Sequence, residues 1–488
     1  MNINKINTDS VGFFRFKRLA DDYLLTNDIG EYCFLEPPLF KAMVTGDSRK
    51  LERKDPAKFE ELTDGGFLRK GLNPDTFVHK YCSKNMFLSG APFLHIVVVT
   101  LRCDHRCIYC QSKAGTPESK QLDMDIATAE KVVDKIFDSS SPSITIEFQG
   151  GEPLINFETV KFIIEYAKEK NKRVGKKLRI ALVSNLSYAD KEKLGFLMKN
   201  EVSICTSLDG PQHLHNKNRV TLDKKKNSYK NTVKWLNYIT KEFQKKKYKH
   251  KPNALSTISR FSLAYPREIV DEFLKAGLES IQLRPATTFI FSGNTPGSLR
   301  FQWSDFIRFY KKAFDYILEV NLKGKIFFER AALTFLTKIL SDSDPNFLDT
   351  RSPCGAGIGQ IAYNYNGDVY TCDEGRMMSR IGDESFRIGN VRTSDYSQII
   401  THPTVKAMCI ASCLDNLPGC SDCVYKTYCG VCPLMNYADR GSVFAQQPCN
   451  ESCKIQKAIL DHLFEKIRVD KYRRIFENWL DYTGVKKR

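Results

Sequence analysis

At roughly 100 to 200 residues per domain, a chain of 488 residues holds about three domains with ample core. Hydrophobic residues make up 42% and charged residues 27%, which excludes disordered, collagen-like and small disulfide scaffolds; no apolar run, the best being Phe93 to Leu101, reaches the roughly 18 residues of a membrane span. The net charge of +17, from 74 Lys and Arg against 57 Asp and Glu, favours an acidic partner, but much of the excess sits in Lys224 to Lys226 and Lys241 to Lys251, which read as solvated helix ends rather than a nucleic-acid surface.

Met1 to Ser10 is polar and lacks the basic patch and apolar stretch of a secretory signal, so the reducing cytoplasm is expected. The 16 cysteines therefore call for a use other than disulfides. Gly12 to Leu35 reads as strands FFRFKRL, YLLTN and EYCFL, with Asn27 to Gly30 as a tight turn. Leu39, Phe40 and Val44, then Phe59 and Leu62, give two short helical patterns with Gly46 and Gly65-Gly66 as stops. This is a small amino-terminal α+β module, residues 1–90, winged-helix-like in its order of elements.

From Phe93 onward, FLHIVVVTL, ITIEFQ, LRIALVSN, VSICTSL, NALSTIS and SIQLRP alternate with amphipathic helical stretches. The fold class is α/β: a parallel sheet or partial (βα)6 TIM-like barrel over residues 91–300. In such folds ligands gather at the carboxyl ends of the strands. Residues 301–350 read as two bridging helices, with Trp303, Phe306, Tyr310 and Ile317 at core spacing. A cysteine-rich region, 351–455, follows, then a helix from Lys454 to Val469 and a basic tail, Lys486-Lys487-Arg488, which make up a carboxyl-terminal segment, 456–488.

The first buried strand ends in Cys103-Asp104-His105-Arg106-Cys107-Ile108-Tyr109-Cys110. Three thiolates in a C-x3-C-x2-C loop suit a [4Fe-4S] cluster with one iron left open; zinc prefers C-x2-C pairs and four ligands. The second strand ends in Gln149-Gly150-Gly151-Glu152-Pro153. Its glycines let backbone approach a ligand closely, and a carboxylate beside backbone acceptors suits an ammonium group.

The triad and GGEP together resemble the radical S-adenosylmethionine (SAM) superfamily. The resemblance implies that the open iron binds the amino and carboxylate groups of SAM and that electron transfer yields a 5′-deoxyadenosyl radical, which abstracts hydrogen from the substrate. It places Tyr109 near the adenine, Gly150, Gly151, Glu152 and Pro153 at the amino group, Ser184 and Asn185 near the ribose, and Ser207, Asp209 and Arg219 beside the cofactor. Each of the last five is also ordinary turn chemistry.

Ten cysteines lie between Cys354 and Cys453. Cys354, Gly367-x4-Cys372, Cys420-x2-Cys423-x5-Cys429-x2-Cys432, Cys449 and Cys453 resemble the SPASM domain of peptide-maturing radical enzymes, which binds auxiliary [4Fe-4S] clusters. The resemblance assigns Cys420, Cys423, Cys429 and Cys453 to one cluster, and Cys354, Cys372 and Cys432 to another. The latter's fourth ligand is open among Cys409, Cys413, Cys449 and a substrate. The gap of two residues before Cys432 departs from the usual three, and a zinc ribbon is the alternative. Three [4Fe-4S] clusters in all are expected. Cys33, Cys82 and Cys205 read as buried thiols, and Asp373 falls where sulfatase-maturing relatives carry an acid/base residue.

Over nearly its whole length, in stretches such as FRFKRLADDYLLTNDIGEYCFL, CTSLDGPQHLHNKNR, GAGIGQIAYNYNGDVY and PGCSDC, the sequence is similar to the His-Xaa-Ser system radical maturases of the B type. That resemblance implies a small precursor peptide or His-Xaa-Ser repeat protein as substrate, a second radical SAM maturase as companion, and an electron donor such as flavodoxin or ferredoxin. The amino-terminal module resembles leader-recognition domains, which add a peptide to a sheet edge. A radical enzyme acting on RNA and a metal protein that only binds a partner are the competing classes.

Overall fold

A computed structural model describes residues 9–248, 250–287, 299, 301–348, 350–444, 448 and 450–487. Strands β1 (Arg15–Leu19), β2 (Asp22–Thr26) and β3 (Tyr32–Leu35) form an antiparallel sheet in that order. The β2–β3 turn closes where Gly30, at φ +78°, donates its N–H to the Asn27 carbonyl at 3.1 Å. Helices Pro37–Val44, Ser48–Lys54 and Pro56–Asp64 cover one face, burying Phe40, Met43 and Leu62 against Leu25, Cys33 and Leu35. The middle helix gave no periodic signal because Leu51 is its single apolar residue; it forms because Leu51 is buried and Asp47 caps the Lys50 N–H at 3.1 Å. Cys82 corrects an expectation: it is exposed on the helix Pro74–Lys84.

The chain continues through β4 (Leu94–Thr100), β5 (His105–Cys107), β6 (Ser143–Gly150), β7 (Lys177–Val183), β8 (Ser203–Ser207) and β9 (Arg219–Thr221). Then come β10 (Asn253–Ile258), β11 (Ser280–Ile281), β12 (Leu283–Pro285), β13 (Phe328–Glu329), β14 (Gln360–Tyr363), β15 (Asp368–Tyr370) and β16 (Arg387–Asn390). The six apolar runs supply the parallel series β4, β6, β7, β8, β10 and β12, the last run being split into β11 and β12. The sheet also extends beyond β4, where β14 pairs in parallel and β15 and β16 follow antiparallel.

Alternation along the strands sets the layers. In β6, Ile144, Ile146 and Phe148 are buried in the helix-facing core, while Thr145, Glu147 and Gln149 are half-buried on the opposite face. A second core joins Trp303–Leu322, Arg330–Leu340 and Glu451–Ile467 to a further helix, Asp470–Tyr482. That last helix, unforeseen, lies between the expected helix and the basic tail: Ile475, Phe476, Trp479 and Leu480 share one face and are buried, and the Trp479 indole donates to Asn321 at 2.9 Å. The amino-terminal sheet docks on the cysteine-rich region through Thr26 Oγ1 to the Val424 carbonyl at 2.6 Å and Tyr428 OH to the Gly30 carbonyl at 2.9 Å. No helix among the described residues is long and apolar enough to cross a membrane.

Candidate active site and metal centres

The cysteine loop leaves the carboxyl end of β4 and is tied down on both sides. Thr100 Oγ1 donates to Asp123 at 2.6 Å, Arg102 Nε to the same carboxylate at 2.7 Å, and the Cys103 N–H to the Gly115 carbonyl at 3.0 Å. Short strands β5 and β9 pair so that Cys107 lies opposite Arg219. Cys103 is buried, while Cys107 and Cys110 are half-buried. Burial pushes the Cys107 thiol up to about 12, with Arg219 opposing and Cys110 adding to the rise.

Behind the loop, Asp104 binds His105 Nδ1 at 2.8 Å and accepts from Ser187 at 2.8 Å. His105 Nε2 and His215 Nε2 share the Ser228 hydroxyl at 2.9 and 3.0 Å. The donor atoms of Cys103, Asp104 and His105 lie within 4.8 Å of one another, a grouping the spacing argument did not single out. Tyr109 turns its hydroxyl to Asp209 at 2.6 Å and accepts from Arg219 at 2.8 Å, so these three residues form one buried network. Ser207 ends β8, two positions before Asp209.

The glycines of GGEP sit where no side chain fits: a Cβ on Gly150, at φ +140°, would lie 2.1 Å from the Thr100 carbonyl oxygen, and one on Gly151 2.2 Å from that of Arg102. Pro153 opens the short turn Pro153–Asn156. Glu152 points inward and collects the Ser184 hydroxyl at 2.7 Å, the Asn185 N–H at 2.7 Å and the Leu154 N–H at 3.0 Å. This ties the ends of β6 and β7 together, and leaves Asn185 Nδ2 3.7 Å from Cys103 Sγ.

The inner face of the sheet encloses a cavity of about 510 Å³ that reaches from Tyr109 and Cys110 to Asp373 and Glu374. Asp373 pairs with Arg376 at 2.8 Å. Glu147, Gln149, Arg284 and Arg330 also line the cavity, as does Cys205, which is half-buried there rather than in the core. Sequence reasoning passed over these residues; the available signal was a carboxylate inside the central strand SITIEFQG.

In the cysteine-rich region, Cys420, Cys423, Cys429 and Cys453 line a single pocket. Burial and mutual repulsion push Cys420 and Cys429 up to about 12. Cys354, Cys372 and Cys432 pack in a second group with Met377, Met378, Met408 and Met435. Cys409 faces Cys413 and Arg351, and Cys449 lies outside the described residues.

The donor sets fit anionic iron–sulfur clusters. Buried guanidinium hydrogens beside the thiols find no acceptor among the described residues: Arg219 Nε and Arg351 Nη2, the former next to Cys107 and the latter next to Cys354. An unpartnered buried donor of this kind is costly unless an anion meets it.

Residues 97–249 match the Radical SAM superfamily. The chain therefore carries a radical SAM domain, which implies SAM and a [4Fe-4S] cluster. It is homologous to the cysteine-type anaerobic sulfatase-maturating enzyme of Clostridium novyi (strain NT), 24% identical over 333 residues, 67% of this chain and 83% of that enzyme. Its fold is that of anSMEcpe with bound AdoMet, at a TM-score of 0.66 and 19% identity over 79% of this chain and 100% of the other. Streptococcus suis SuiB bound to precursor peptide SuiA matches at 0.53 and 14% over 90% and 98%.

Glu152 yields a prediction in pH. Burial pushes its carboxyl from the ordinary 4.5 up to about 7, so the folded chain binds more protons than the unfolded one between these values. Its contribution to stability must fall as pH rises through that window. Glu152→Gln removes this slope: the variant should gain stability relative to wild type between pH 5 and 7.5 in denaturant titrations, and a constant difference would contradict the assignment.

Proposed function

We propose that this protein is a radical SAM maturase that installs a post-translational modification on a ribosomally made substrate, a small precursor or His-Xaa-Ser repeat protein. The observation that carries the reading is the shared cavity: the loop of the cysteine triad opens into the same space as Asp373, which directly follows Cys372. The cluster held by Cys103, Cys107 and Cys110 supplies, when bound, the electron that cleaves SAM and so generates the hydrogen-abstracting radical.

The chain's own residues would shape the rest. Backbone at Gly150 and Gly151 and the ends of β7 and β8, with Ser184, Asn185 and Ser207, ring the place where SAM would sit. Tyr109, held by Asp209 and Arg219, walls it on the cavity side. Loss of hydrogen leaves a substrate radical; its further oxidation gives up one electron and one proton. Asp373 would take the proton. The groups Cys354, Cys372, Cys432 and Cys420, Cys423, Cys429, Cys453 would hold auxiliary [4Fe-4S] clusters that take the electron, and flavodoxin or ferredoxin would serve as donor for the first step. A second radical SAM maturase would act on the same precursor.

Leader recognition falls to the amino-terminal module. Strand β3 is an edge of its sheet, and a groove of about 650 Å³ runs between Tyr32 and Phe34 of β3, Lys58 and Glu61 of Pro56–Asp64, and the carboxyl-terminal helices. A peptide laid there would extend the sheet by main-chain hydrogen bonds.

Two outcomes check this reading. Asp373→Asn should release 5′-deoxyadenosine as wild type does yet form no modified product; undiminished product would remove Asp373 from the chemistry. Phe34→Ala should weaken binding of a His-Xaa-Ser repeat protein by about tenfold, the usual loss for an aromatic anchor, in fluorescence anisotropy; unchanged affinity would refute the groove.

A further inference from the structure

The ionic groups of the barrel cavity do not all find partners within it. Asp373 pairs with Arg376 at 2.8 Å and Glu374 with Arg284 at 3.5 Å. Glu147, by contrast, accepts a single hydrogen bond, from Gln149 Nε2 at 2.6 Å. The Arg330 guanidinium, at the head of the helix Arg330–Leu340, makes no hydrogen bond or ion pair among the described residues. The two face the same space: each acts electrostatically on the Cys205 thiol, and Arg330 draws the Glu147 carboxyl down while burial and Asp373 push it up.

We infer that Glu147 and Arg330 form a subsite for a neutral imidazole side chain of the substrate, whose N–H donates to the Glu147 carboxylate while its other nitrogen accepts from the Arg330 guanidinium. The inference rests on the peptide-maturation reading and names the residue that the cavity receives.

Charge and geometry select this class. A substrate ammonium or guanidinium would suit Glu147 but set a like charge against Arg330. A substrate carboxylate would suit Arg330 but meet Glu147 and Asp373. A neutral group with one donor and one acceptor satisfies both without uncompensated charge. A hydroxyl offers one atom for both partners, and a carboxamide carries its oxygen and nitrogen side by side. Imidazole nitrogens point away from each other and suit partners carried by different elements, Glu147 on β6 and Arg330 at the head of a helix. Cys205, whose thiol burial pushes up to about 12, stays neutral and gives the ring an apolar wall beside Leu255.

The test uses the full chain, anaerobically reconstituted and loaded with SAM. Its probes are Nα-acetyl-histidine, Nα-acetyl-lysine and Nα-acetyl-asparagine methylamides, with affinity read by saturation-transfer NMR. The histidine probe should bind about tenfold more tightly than the others, and Glu147→Leu and Arg330→Met should each remove about that factor, the loss of one hydrogen bond to a charged group. Iron content and melting temperature report whether each variant folds; if one does not, the other decides. Equal affinities, a preference for lysine, or an unchanged affinity in a folded variant would overturn the subsite. Uncoupled 5′-deoxyadenosine release by wild type separates the two levels: release with equal affinities removes the subsite alone, whereas no release removes the maturase reading and the subsite with it.

Discussion

The carboxylate of Glu152 is the knot on which the candidate active site hangs. It gathers three donors from two strand ends, the Ser184 hydroxyl and the Asn185 and Leu154 N–H groups, at a place from which water is excluded. There each hydrogen bond is stronger, and an unmade one is costly. The knot fixes the rim of β6 against that of β7 and brings Asn185 to Cys103. The glycines before it let the β6 end pass under the Thr100 and Arg102 carbonyls. Cysteine loop, GGEP turn and β7 end are thus tied together, and a cofactor bridging them would meet a preorganised surface.

The second determinant is that the inner face of the sheet is left open. In β6, β7, β8 and β10 the alternate positions that pack on helices are buried, and those between them line a cavity. An open interior of this size admits side chains of a substrate while shielding a reactive species from bulk water. The cysteine-rich region borders it: β14 to β16 join the sheet beyond β4, and the turn after β15 carries Asp373 and Glu374 to the cavity wall. Arg219 and Arg351 each keep a buried N–H without a partner among the described residues, near Cys107 and Cys354 respectively.

Much of this was legible beforehand. Six apolar runs gave the parallel strands because strands covered on one face by helices must be Val-, Ile- and Leu-rich there. The triad and GGEP spacing pointed to the carboxyl ends of β4 and β6, and Cys420, Cys423, Cys429 and Cys453, grouped by their spacing, line one pocket. What escaped had physical reasons. The helix Ser48–Lys54 has one apolar residue, so it carries no period to detect. Asp470–Tyr482 was passed over because its six charged residues outnumber a four-residue apolar stripe. Cys205 was read as a buried thiol and Glu147 went unremarked within ITIEFQ, whereas one face of these strands looks into a cavity; Arg330 lies outside the strand runs, at the head of a helix. The direction of Glu152 could not be had from sequence either: it depends on where β7 ends in space.

The central claim is that three cysteine groups each hold a four-iron cluster around one reaction space. Iron and sulfide counted per chain after anaerobic reconstitution, in wild type and in a variant with Cys103, Cys107 and Cys110 replaced by Ala, test it most directly. About twelve irons falling to about eight is the result the account predicts, as cubane clusters require. About four falling to none would contradict it, leaving a radical enzyme whose carboxyl-terminal cysteines hold no iron.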